Sequence, residues 1–118
     1  MTRRGDDIPR PRPWRVRAAD RTAGVGWDQL VSNYPEAADR AWVAMTSNPR
    51  RTHERQHQLK GQLAQTTVGG QLLDHWQIEA TAGGRVWYAV DDTERTLWVT
   101  QAGAAHPKQT DTRRHRKR

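Results

Sequence analysis

The stretch His75-Trp76-Gln77-Ile78-Glu79-Ala80-Thr81, then Gly83-Gly84-Arg85-Val86-Trp87-Tyr88-Ala89-Val90-Asp91-Asp92, then Arg95-Thr96-Leu97-Trp98-Val99-Thr100, decides the fold. Its apolar residues recur with a period of two, which is the spacing of strands with one buried face. Trp76, Ile78 and Ala80 point one way and His75, Gln77 and Glu79 the other. In the next segment Val86, Tyr88 and Val90 oppose Arg85, Trp87 and Ala89, and then Leu97 and Val99 oppose Thr96, Trp98 and Thr100. Ala82-Gly83-Gly84 supplies the positive φ of a tight hairpin, and Asp91-Asp92-Thr93-Glu94 makes a second turn. The segment therefore reads as three consecutive antiparallel strands.

Upstream of this meander, Trp27, Leu30, Val31 and Tyr34 share one face of a helix, which is expected to begin at Trp27 because Gly24 and Gly26 weaken anything earlier. Pro35 separates it from a second helix, whose first turn suits both Pro35 and Glu36 and whose apolar face is Ala38, Ala41, Trp42 and Met45. Asn48-Pro49 ends that helix. Residues 50–58 are polar without useful periodicity and read as a surface loop. Leu59 to Leu63 reads as a brief strand or turn about Gly61, and Val68-Gly69-Gly70 as another break. Before the helices, Trp14-Arg15-Val16-Arg17-Ala18 alternates apolar and basic residues, as a half-buried strand does. The expected fold is a single small α+β domain: an N-terminal strand, a helical hairpin on one face, then the three-strand antiparallel meander.

The chain has 118 residues and a formal net charge of +7. The charge is uneven. Residues 14–112 hold 11 Lys/Arg and 11 Asp/Glu, so the excess lies at the two ends. Residues 1–13, with Pro9, Pro11 and Pro13 among arginines and acids, read as a flexible arm. Residues 113–118, Arg-Arg-His-Arg-Lys-Arg, form a basic tail in which Arg113 and Arg114 would meet polyanions through counterion release. The domain proper is residues 14–112. There is no cysteine, which excludes disulfides, thiolate ligands and thiol nucleophiles. With no signal-like apolar region and no apolar run near the about 20 residues of a membrane helix, the expectation is a cytoplasmic protein without a membrane partner.

If Val86, Tyr88 and Val90 face the helices, Arg85, Trp87 and Trp98 share the opposite face with His75, Gln77 and Glu79. Indoles stack on bases and arginine grips phosphate, so this face suits a single-stranded nucleic acid. Trp14, Trp27, Trp42 and Trp76 are expected in the core. His53 and His57 are four residues apart, but nothing completes a recognisable metal site around them.

The order of elements, the turn Leu59-Lys60-Gly61, the arginine-led strand Gly84-Arg85-Val86-Trp87-Tyr88-Ala89-Val90-Asp91 and the later His106-Pro107-Lys108 together resemble the RelE/ParE superfamily of toxins from type II toxin–antitoxin systems. The resemblance covers roughly residues 14–110. It implies a RelE-like mRNA endoribonuclease that inhibits translation on the ribosome and is neutralised by an acidic antitoxin. Within it, Arg85 would stabilise the scissile phosphate and His106 would transfer protons in attack by the 2′-hydroxyl. Lys108 would neutralise charge, and Lys60 would contact phosphate. No metal or organic cofactor is implied. Many RNase members carry a tyrosine after the last basic segment; here Gln109-Thr110-Asp111-Thr112 follows, which shifts the proton transfer onto His106. Two alternatives stand beside this reading: the ParE-like branch, which inhibits DNA gyrase without being an enzyme, and a nucleic-acid-binding domain without toxicity.

Overall fold

Asp20 sets the start of the first helix: its carboxylate accepts the backbone N–H of Ala23 at 2.8 Å, which satisfies one of the orphan donors of the first turn. In the computed structural model, which describes residues 1–104, the elements follow one another as β1 (Arg15–Ala18), α1 (Arg21–Asn33), α2 (Pro35–Ser47), β2 (Gln56–Gln58), a 3-10 turn (Gly61–Leu63), β3 (Gln65–Val68), β4 (Gln71–Thr81), β5 (Gly84–Asp91) and β6 (Thr96–Gly103). Helix α1 thus begins at Arg21 and runs through Gly24 and Gly26 instead of starting at Trp27. The cap explains the start. The second glycine is explained by packing, because a Cβ on Gly26 would collide with the carbonyl oxygen of Ala102. Pro35 opens α2 with Glu36 in its first turn, as expected of both residues.

The three strands of the meander pair antiparallel as read, β4 with β5 and β5 with β6. Strand β1 joins the outer side of β6 in parallel, with Val16 opposite Leu97 and Arg17 opposite Trp98. The result is a mixed six-stranded sheet in the order β1-β6-β5-β4-β2, with β3 also on β4. Two of these strands correct the sequence reading. Residues 56–58 lie in a strand and not a loop, and 65–68 form another. The cause is the length of β4, which at 11 residues outruns its neighbour. Its outer edge accepts β2 against Trp76 to Ile78 and β3 against Gln71 to Asp74. Between them the 3-10 turn loops out. Gln-His-Gln and Gln-Thr-Thr-Val are polar because they cap a sheet edge, where an apolar alternation would invite further pairing.

Both helices lie on one face. Their Ala23, Leu30, Ala38, Ala41 and Met45 meet Trp76, Ile78, Ala80, Val86, Tyr88, Val90, Leu97 and Val99 in a single core, with Trp14, Val16 and Trp27 packed at its margin. The helices contribute mostly alanines, so they approach the sheet closely and the large side chains come from the strands. Trp42 departs from the core role expected of it. It is 40% exposed, tilted against Trp27 at 6.0 Å, and Val31 and Tyr34 are exposed as well. Tyr88 is fully buried, donates to the carbonyl of Pro49 at 2.7 Å and accepts from the Gln56 amide at 2.9 Å. Burial pushes its phenol well above the usual tyrosine range. Arg50 ties the same loop down by reaching both Asp74 at 2.8 Å and Asp92 at 2.7 Å. No helix among the described residues is long and apolar enough to cross a membrane.

Residues 1–13 form no helix or strand. They are held by Arg95, whose guanidinium lies 4.2 Å from the ring centre of Trp14 and donates to the carbonyl of Arg12 at 2.7 Å, and by Arg10, which donates to the Thr46 carbonyl at 3.2 Å.

Candidate nucleic-acid interface

Among the described residues no helix lies on the second face of the sheet, and the period of two sets its side chains in rows. Across the sheet the register sets Arg17, Trp98, Ala89 and His75 side by side. The adjacent row holds Trp87, Gln77 and His57, and the next holds Arg85 opposite Glu79. Trp87, Trp98 and Arg85 are each half-buried.

Hydrogen bonds fix the middle row. Trp87 donates its indole N–H to Oε1 of Gln77 at 2.8 Å. The Gln77 amide nitrogen lies 3.4 Å from Nε2 of His57, and Nδ1 of His57 lies 3.0 Å from the Gln58 carbonyl. A carbonyl only accepts, so the proton of His57 sits on Nδ1 and Nε2 is left to accept from Gln77. The indole is therefore held in one orientation, half-buried on a face that carries no helix among the described residues.

His75 behaves differently from its neighbours. It shares their face, but the 3-10 turn lies over it, and it is only 5% exposed. Its Nδ1 is 3.1 Å from the Leu63 carbonyl and its Nε2 is 2.7 Å from the Thr100 hydroxyl. The same reasoning puts the proton on Nδ1, so Thr100 donates to Nε2. Burial pulls the imidazole below its ordinary pKa of 6.5, against a smaller upward pull from the Leu63 carbonyl. The ring stands edge-on to Trp87 at 5.6 Å between centroids. Thr100 lies at a bulge in the β5–β6 pairing between Trp87 and Tyr88 and is skipped in the register.

Charge on this face is mostly positive. Arg17 stands 5.5 Å from the ring centre of Trp98. Arg85 makes no ion pair among the described residues, since Glu79 meets Arg55 at 3.8 Å. Lys60 is exposed at the start of the 3-10 turn, on the outer edge of β4 beside His75. It is not brought next to Arg85, which pairs in register further along β4. His106, Lys108, Arg113 and Arg114 lie outside the described residues.

Sequence alone singled out Arg85, Trp87 and Trp98 here and missed Arg17 and His57. Arg17 reaches the face through the parallel pairing of β1 with β6, and His57 through an edge strand that no periodicity announces. No protein-family model, curated protein or solved structure matches the chain.

Proposed function

We propose that this chain is a toxin of the RelE kind, an mRNA endoribonuclease that arrests translation on the ribosome and is held in check by an acidic antitoxin. The observation that carries the reading is Arg85. It opens β5 on the face without helices, beside the hydrogen-bonded indole of Trp87, with no ion pair among the described residues. A guanidinium in that position is available to a phosphate, and the neighbouring tryptophan to a base.

The chemistry is transesterification. The 2′-oxygen attacks the adjacent phosphorus, the 5′-oxygen leaves with a proton, and a 2′,3′-cyclic phosphate and a 5′-hydroxyl result. Arg85 stabilises the charge on the phosphoryl oxygens, His106 moves the proton, and Lys108 and Lys60 add positive potential. The reaction requires no metal or organic cofactor.

The test is pulse-labelling of protein and DNA synthesis after induction of wild type and Arg85→Ala in cells without an antitoxin. Wild type is expected to stop protein synthesis first, and Arg85→Ala to leave it running. Loss of DNA synthesis first would transfer the function to the gyrase-inhibiting branch, and no effect on either would refute toxicity.

A further inference from the structure

We propose that Trp98 and Trp87 are the stacking platforms for two successive bases of a single RNA strand, with Arg17 and Arg85 holding the phosphates that flank that step. The inference rests on the reading of this face as an RNA site and adds its footprint.

Spacing is the first argument. Trp98 lies opposite Ala89, and Trp87 comes two residues before Ala89 in β5. With strands about 4.8 Å apart and a rise of about 3.3 Å per residue, the two Cα atoms are separated diagonally by about 8 Å. That offset lets neighbouring nucleotides each find a ring, as successive bases do on sheet platforms that bind single strands.

Preorganisation is the second. A side chain present only to cover sheet needs no fixed orientation, yet Trp87 is pinned through Gln77 and His57 to the Gln58 carbonyl and meets the edge of His75. Trp98 carries the Arg17 guanidinium at its ring. Ordering the rings in the free protein removes part of the entropic cost of binding.

Charge complementarity selects the occupant. The two indoles are bracketed by Arg17 at the β1 edge and Arg85 at the start of β5. Of the acids on this face, Glu79 is turned toward Arg55, and Asp91 is buried at the far end of β5 with its Oδ1 accepting the Glu94 N–H. A polyanion with flat apolar faces fits two adjacent indoles flanked by cations, and an acidic peptide would leave the rings without partners.

The test is fluorescence anisotropy of the full chain with a labelled oligouridylate at low salt, compared with the same oligomer carrying two adjacent abasic residues at its centre. Wild type is expected to bind the abasic oligomer more weakly. Trp87→Leu and Trp98→Leu should each weaken binding to the intact oligomer by about five-fold to a hundred-fold. Each variant keeps one platform and should lose about half of its sensitivity, in free-energy terms, to the abasic step. Trp87→Phe and Trp98→Phe, which keep a π face, should recover most of the affinity and so separate stacking from folding defects. Equal binding of both oligomers by wild type, Leu variants that bind like wild type, or no measurable binding would each overturn the platform. Translation arrest scored in parallel separates the two ideas. If wild type arrests translation while the platform fails, the functional reading survives, and if the platform holds without arrest, the face binds RNA and the toxin reading falls.

Discussion

At the scale of single residues, His75 shows how burial changes what a histidine does. Trp87 and Trp98 on the same face are half-exposed, whereas its two ring nitrogens are consumed by the Leu63 carbonyl and the Thr100 hydroxyl under the 3-10 turn. In the folded chain its pKa is depressed, so the unfolded chain binds the proton more readily. The stabilising neutral form is fully present above the unfolded pKa of about 6.5, and its contribution is lost as the pH falls below that value toward the folded one. Denaturant unfolding followed from pH 7 to pH 5 should therefore show a fall in stability with a slope of at most about 1.4 kcal/mol per pH unit from this residue, the limit for one proton. His75→Gln, which cannot titrate, should have a shallower slope whatever its absolute stability. Parallel slopes would contradict this account. The alternation of His75 with Trp76 was legible in sequence, but its burial was not, because the covering turn comes from a segment without periodicity.

At the scale of elements, the two glycines of α1 separate backbone propensity from packing. Gly26 sits where α1 crosses β6, and an added Cβ would meet the Ala102 carbonyl. At Gly24 the nearest atom is the Cβ of Ala18 at 3.5 Å, an ordinary contact. Gly24→Ala should raise stability by about 0.5–1 kcal/mol through helix propensity alone. Gly26→Ala gains the same propensity but forces the helix off the sheet, and its net effect should be a loss of about 1–3 kcal/mol. Thermal melts of the two variants are expected to move in opposite directions, and a shift in the same direction would refute the packing argument. The meander and the second helix were readable because period-two alternation, Pro35 and Glu36 are local signals. The start of α1 was misread because two glycines outweighed the Asp20 cap, and β2 and β3 were missed because polar edge strands are defined by the strand they pair with.

At the scale of the whole molecule, the described residues put both helices on one side of the sheet, and the proposed site lies on the other. Arg85, Trp87 and Trp98 could be assigned to that side from sequence because one decision about Val86, Tyr88 and Val90 fixes them all. Arg17 and His57 could not, since they arrive through pairings between segments far apart in the chain. Formal charge is balanced across residues 14–112, so the positive character of the open face is a matter of placement and not of composition. On the proposed reading, that placement makes Arg85 the residue on which the function would turn. The decisive measurement is primer extension on a message carried by programmed ribosomes, with purified wild type and Arg85→Ala at equal concentration. Wild type should generate discrete new 5′ ends within the message, and Arg85→Ala should slow their appearance by about a hundred-fold or more, the scale of losing one preorganised donor at a developing charge. An intact message with wild type, or equal cleavage by both proteins, would contradict the account.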